Sequence, residues 1–249
     1  MITAENIIAL SLIIFIASVV RGFTGFGLAL VAVPLLQFFM PVSDTAVFIV
    51  FINAIFSLIY FRRSREIVRD QPLLRMALYT GIGVAAGTLI LKFINPAYIQ
   101  LVWGVLIIFI VIALARGVNF GIRSDNSAMT LSGLLGGLLA GATGITGPPV
   151  AIILSSLKTP KEKFNAVISV FIFFAVSYAL VFYLISGLVR IETFLLALCS
   201  VPALLAGLHT GDRLVSRISQ KSFTRIVYVI LILMGVITLF KGAKALIIN

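Results

Sequence analysis

The chain has 249 residues; 61% belong to the apolar class, only 11% are charged, and the mean hydropathy is +1.21. That composition excludes an ordinary soluble domain, and a net charge of +11 lying in short loops between apolar runs sets orientation in a membrane rather than marking a nucleic-acid surface. A single cysteine, Cys199, excludes an intramolecular disulfide and most metal frameworks.

In chain order, Met1 to Asn6 lacks the basic region of a cleavable leader, so the first apolar segment is expected to stay in the mature protein. Residues 5–40 are too long for one straight crossing and carry the break Gly22-Phe23-Thr24-Gly25-Phe26-Gly27. Segments 44–61, 73–92 and 98–115 each read as a full crossing. Residues 128–157 repeat the anomaly, with the break Gly141-Ala142-Thr143-Gly144-Ile145-Thr146-Gly147 running into Pro148-Pro149. Three further crossings follow at 164–186, 192–211 and 225–240. Beyond each break the apolar piece, 26–40 or 148–157, reaches only roughly 22 Å or 15 Å as a helix, short of a hydrocarbon core of about 30 Å. Helical hairpins that return to their own side fit these lengths.

The two halves match. Gly22, Thr24 and Gly25 align with Gly141, Thr143 and Gly144 at an offset of 119, as does Pro41 with Pro160. Ala86-Gly87 aligns with Ala206-Gly207 at 120, and Arg116-Gly117 with Lys241-Gly242 at 125. The order is kept throughout, giving repeats over 1–124 and 125–249 within one membrane domain, each a broken or re-entrant hairpin plus three crossings. Charge counting tests the hairpins. If they return to their own side, 14 basic residues face inside and only Lys92, Arg190, Lys241 and Lys244 face outside. If each anomalous segment crosses once, the split is 10 against 8. The positive-inside rule favours the first arrangement, although two short spans would return to the same side as a hairpin. Three crossings per repeat is odd, so the second repeat is inverted, the plan of many secondary transporters. The fold class expected is therefore all-α: a polytopic membrane protein of two inverted repeats.

Glycine and threonine at two matched breaks suggest a binding site. Irregular backbone at membrane depth survives only where protein buries it or where it lines a cavity, and a helix starting there aims free N–H groups and a positive dipole end at what lies beyond. The candidate substrate-binding residues are Arg21, Gly22, Thr24, Gly25, Asn53, Thr143, Gly144, Thr146 and Gly147. Arg21 precedes the first break some 15 residues into an apolar segment. An ionisable group there faces a cavity or partner, snorkels to the interface, or bonds loop carbonyls. Asn53 and Ser57 share a helix face with Tyr60 close by, and Asn165, Ser169 and Ser177 occupy the matching span; they line a path or bond between helices. His209 and Asp212, beside Arg213, read as a helix-end cap or ion pair.

Gly83 with Gly87, and Gly133 with Gly137, are spaced for tight helix contact; a homodimer is left open. All eight acids lie at segment ends or in loops, leaving no mid-membrane carboxylate for proton relay or metal binding. With no nucleophile–base motif, no metal motif and no phosphate loop, neither an enzyme nor a cofactor is expected.

The run from Arg21 to Gly27, the stretch from Gly133 to Pro149, and Arg217-Ile218-Ser219 leading into Arg225-Ile226-Val227-Tyr228 resemble the TauE/SafE family over the whole chain. Its members are inner-membrane permeases of bacteria and archaea, linked to export of sulfite and organosulfonates, some assigned to uptake. The resemblance implies a secondary transporter exporting a small anion by alternating access from a prokaryotic inner membrane, with the bilayer and that anion as partners. Ion-coupled uptake of a similar anion, or an anion channel, are the alternatives. The topology is testable by cysteine labelling in a Cys199-free background. Membrane-impermeant reagent added outside intact cells should modify Asn249→Cys and spare Pro160→Cys, and the reverse pattern breaks the assignment.

Overall fold

A computed structural model describes residues 4–24, 27–117, 122, 124–155, 157, 160–215 and 220–248. Eleven α-helices and no strands occur among the described residues: α1 (Ala4–Thr24), α2 (Leu28–Leu36), α3 (Val42–Ile67), α4 (Leu73–Phe93), α5 (Pro96–Ala115), α6 (Asp125–Thr143), α7 (Pro148–Ser155), α8 (Lys161–Ile185), α9 (Ile191–Cys199), α10 (Val201–Val215) and α11 (Gln220–Ile248). The all-helical class is thus as expected, and both apolar anomalies break at their glycine–threonine turns. Five of these helices (α1, α4, α5, α8 and α11) are long and apolar enough to cross a membrane. In α3 the apolar part, Val42–Leu58, is followed by the cytoplasm-type run Arg62, Arg63 and Arg65.

Two features of the helices do not show in the hydropathy pattern. The segment 192–211 is not one straight crossing: it is divided into α9 and α10, bent by 42°. Pro202, lacking an N–H and crowding the preceding turn, explains the break, and the Ser200 hydroxyl donates to the Leu196 carbonyl at 2.9 Å. The hairpins are also lopsided. Their opening arms, α1 and α6, run for 21 and 19 residues, whereas the return arms α2 and α7 have nine and eight. At 1.5 Å per residue, α1 alone is about 31 Å long and α2 about 14 Å.

Close approach of glycines organises the packing. Helix α4 packs on α6, α1 on α10, α5 on α11 and α3 on α8, while α1 folds back on α2 and α6 on α7. The small-residue stripes of α4 and α6 meet each other: a Cβ built on Gly83, Gly87, Gly137 or Gly141 falls 2.1–2.6 Å from a backbone oxygen of the facing helix. On the other side Gly207 and Gly211 of α10 stand equally close to the Phe15 and Val19 carbonyls of α1, at 2.5 Å each. Without a hydrophobic driving force between helices in lipid, such backbone proximity is the main source of cohesion.

Polar ties gather at two ends of the bundle. At one, Lys163 Nζ lies 2.8 Å from Asp70 Oδ2, and Gln71 Nε2 donates to Asp125 Oδ2 at 3.3 Å. The Lys163 hydrogen bond holds the Asp70 carboxyl below its ordinary range, so this tie is intact at neutral pH and lapses as the pH falls through that lowered value. Both partners are solvated and its contribution is small. At the opposite end of α3, Arg190 Nη1 donates to Asp44 Oδ2 at 3.4 Å. Gln100 Nε2 donates to Gln37 Oε1 at 3.3 Å, and Lys241 donates to the Gln37 carbonyl.

The glycine contact yields a stability prediction. Gly141→Val places side-chain carbon 2.3 Å from the Val84 carbonyl oxygen. Overpacking of this kind costs on the order of 1–3 kcal/mol or more, so thermal unfolding in detergent should show a clearly lowered midpoint. Gly81→Ala, whose Cβ meets only the Tyr178 ring at 3.3 Å, should leave the midpoint nearly unchanged.

Candidate functional site

Each hairpin break carries a glycine with positive φ, and the second is also held by local hydrogen bonds. Gly27, the N-cap of α2, has φ 107°, and Gly144, the C-cap of α6, has φ 73°, a region in which side chains other than glycine are strained. At the second break Gly144 N–H donates to the Ala140 carbonyl at 2.8 Å, and Ile145 N–H donates to Thr143 Oγ1 at 3.0 Å. The Thr143 hydroxyl in turn donates to the Leu139 carbonyl. Tyr183, fully buried on α8, points its hydroxyl at the Gly141 and Ala140 carbonyls, 2.8 and 3.2 Å away. A helix ending at membrane depth leaves its last carbonyls without partners, and Tyr183 supplies one.

The return arms begin differently. In α2 the first intrahelical bond runs from Val31 N–H to the Gly27 carbonyl. Leu28, Ala29 and Leu30 therefore present N–H groups at the helix start with no acceptor inside the helix. In α7 the first two residues are Pro148 and Pro149, which have no N–H, and Ala151 N–H already bonds the Gly147 carbonyl at 2.9 Å. The matched breaks are thus unequal as anion cradles: three backbone donors at α2, and the lone Val150 N–H at α7.

Arg21 is 3% exposed at the end of α1. Its Nη1 donates to Asn53 Oδ1 at 2.8 Å, and the guanidinium carbon stands 3.4 Å from the centroid of the Phe56 ring. A guanidinium keeps its charge when buried and stacks on aromatic faces, so these two α3 residues hold a permanent cation against the first break. Gly144 touches the same helix: a Cβ on it would lie 3.0 Å from the Ala46 carbonyl oxygen and 3.2 Å from the Ile49 side chain. Positions 46, 49, 53 and 56 fall on one face of α3. Arg21 and the second break therefore sit against a common strip, separated by about one to two helical turns.

Of the residues expected in the site, Arg21 and Asn53 are in direct contact, and Thr143 and Gly144 lie at the second break. Thr146 is buried beside them, and Gly147 opens α7. Gly22 is turned toward α10, where a Cβ would meet the Leu208 carbonyl oxygen at 2.8 Å. Gly25 lies outside the described residues, as does the Thr24 side chain. The hydroxyls of Ser57, Ser169 and Ser177 each donate to a carbonyl of their own helix, at 2.9, 2.9 and 2.7 Å. Two contributors were not read from sequence. Phe56 is one of 20 phenylalanines, and only its place three residues beyond Asn53, on the same helix face, hints at a role. Tyr183 carries no local signal, because its contact with α6 spans 42 residues.

Helices long and apolar enough to span, glycine-lined packing and the buried Arg21 define a multi-pass membrane protein with a cationic centre. The family model for the sulfite exporter TauE/SafE matches residues 10–238. The chain belongs to the TauE/SafE family and is a membrane transporter of the sulfite/organosulfonate type. No curated protein and no solved structure matches it.

Arg21 carries a direct prediction. Arg21→Gln preserves a donor for Asn53 while removing the charge. Losing a permanent cation in a low-dielectric setting, and the contact that fixes Asn53, should lower the affinity for sulfite roughly tenfold or more, read by calorimetric titration of the purified protein. Unchanged affinity removes Arg21 from the site.

Proposed function

We propose that the protein exports a small sulfur oxyanion, sulfite or an organosulfonate, across a prokaryotic inner membrane by alternating access. The observation that carries this reading is the buried Arg21, held by Asn53 and Phe56 beside one break while the other break rests on the same face of α3. A fixed cation, together with the N–H groups at the start of α2 that have no acceptor inside their helix, suits an anion with several acceptor oxygens. Direction follows from energetics: with the interior negative, expelling one negative charge gains about 2.3 kcal/mol per 100 mV. No coupling ion is needed for that direction, in keeping with acids confined to segment ends.

Alternating access calls for two halves that exchange roles, and the packing supports an inverted repeat over 1–124 and 125–249. Exchange α1 with α6, α2 with α7, α3 with α8, α4 with α9–α10, and α5 with α11. The contact α4–α6 becomes α10–α1, α4–α8 becomes α9–α3, and α2–α11 becomes α7–α5, all of which occur. The pairs α3–α8 and α5–α11 map onto themselves.

Proteoliposomes decide the matter. Efflux of sulfite, taurine and methanesulfonate should saturate with concentration, show counterflow and accelerate when the side of release is made positive. Sulfate and simple carboxylates should be poorer substrates. Single-channel currents would replace the carrier with a channel, and flux that requires a sodium or proton gradient would replace export with coupled uptake.

A further inference from the structure

The Arg21–Asn53 contact fixes more than Arg21. A carboxamide has two ends of similar shape, one accepting and one donating, and an arginine has only donors. Asn53 must therefore turn Oδ1 toward Arg21, which directs Nδ2 to the other side of the amide. That Nδ2 is fully buried on a residue with 0% exposure, and no hydrogen-bond partner for it exists among the described residues. A buried amide N–H2 without an acceptor costs on the order of 1–3 kcal/mol, a cost that stands until something accepts its hydrogens. The other polar side chains near it on α3 do not compete. Thr45 donates to the Pro41 carbonyl, and Ser57 to the Ala54 carbonyl, each at 2.9 Å.

Position adds to the case. Asn53 stands one turn from Ile49, the residue against which Gly144 packs, and one turn from Phe56, the ring under Arg21. On the α3 strip that runs between the two breaks, Ala46, Ile49 and Phe56 are apolar, and Asn53 is the polar member.

We propose that Asn53 Nδ2 is a direct donor to the transported oxyanion, and that Arg21 and Phe56 act as positioning residues that lock the amide in its donating orientation. This rests on the anion-carrier reading above and assigns one atom of that site. The Phe56 ring covers one face of the guanidinium and keeps it from swinging away, Arg21 engages Oδ1, and Nδ2 presents its hydrogens to the substrate. A neutral donor held by a cation suits transport, because the anion meets a directional hydrogen bond without a one-to-one ion pair that would slow release. The same geometry favours ligands with an exposed acceptor oxygen, such as sulfite and the sulfonate head of an alkanesulfonate, over the spherical chloride ion.

Nuclear magnetic resonance of detergent-solubilised, full-length protein labelled with 15N-asparagine tests this directly. The chain has seven asparagines, and the Asn53 side-chain pair is identified by its loss in Asn53→Ser. Titration with methanesulfonate and with sulfite should move both Asn53 amide protons, with a midpoint matching the calorimetric dissociation constant of the same anion. Chloride should leave them in place. Phe56→Leu, which keeps Asn53 and Arg21, should weaken methanesulfonate binding about three- to tenfold and broaden or double the Asn53 signals. Binding heat with immobile Asn53 resonances overturns the assignment while leaving the carrier reading intact. Absence of binding heat for every oxyanion tried overturns the carrier reading and this assignment together.

Discussion

A backbone that leaves the helix inside a membrane must find hydrogen bonds in protein, because lipid offers none. That requirement shapes both halves of this chain. Each half contains a long helix followed, after a glycine break, by a short one, and at the second break other elements cover the turn. At the second break the cover is a set of local bonds from Gly144, Ile145 and Thr143, with Tyr183 reaching in from α8 to the last carbonyls of α6. The α6 terminus is thus almost fully satisfied, and Pro148 and Pro149 leave little to satisfy at the start of α7. At the first break the start of α2 keeps its N–H groups, which lack acceptors inside the helix, and Arg21 lies in the last turn of α1.

Glycine makes the cover fit. Were α4 and α6 spaced as leucine-faced helices are, at roughly 8–10 Å, the α6 break would be farther from its supports on α3 and α8. Small residues on both helices bring the backbones into contact, and the same device joins α1 to α10. Packing and site geometry are therefore one problem in this molecule. The residue that closes a helix contact at one position, Gly22 or Gly141, lies next to the residue that makes the break functional.

The hydrophobic pattern, the two breaks and the glycine stripes were legible in the sequence because each is a local or short-period signal. Lipid imposes run lengths, and a glycine cluster inside an apolar run has few other uses. Arg21 was legible for a related reason: a charge so far into an apolar segment demands a partner. What could not be read depends on distance along the chain. The α9–α10 bend sits at Ser200 and Pro202, and a single proline in an apolar span does not announce how sharply it will bend. Hydropathy also continues through each break and gives no sign of how unequal the two arms are. Phe56 and Tyr183 act across 35 and 42 residues respectively, on partners that only folding brings near. Among many aromatic side chains in apolar helices, those with a polar task look the same as those facing lipid.

The inequality of the two breaks has a mechanistic meaning. A carrier must hold its substrate firmly enough to select it and loosely enough to release it, and two equal cationic pockets facing one anion would favour holding. Here one break bears Arg21, while the matching position in the second repeat is Ala140, whose carbonyl is occupied by Gly144 N–H and approached by Tyr183. The charge therefore resides on one side only. Burial strengthens every electrostatic contact as the effective dielectric falls, so a single cation in a dry site already attracts an anion strongly. If Asn53 donates to the anion as proposed, the contacts of Arg21 with Asn53 and Phe56 would moderate that attraction by putting a neutral donor between charge and substrate. On the carrier reading proposed above, symmetry in the backbone would serve the movement of the two halves, and asymmetry in the side chains would set how tightly the anion is held.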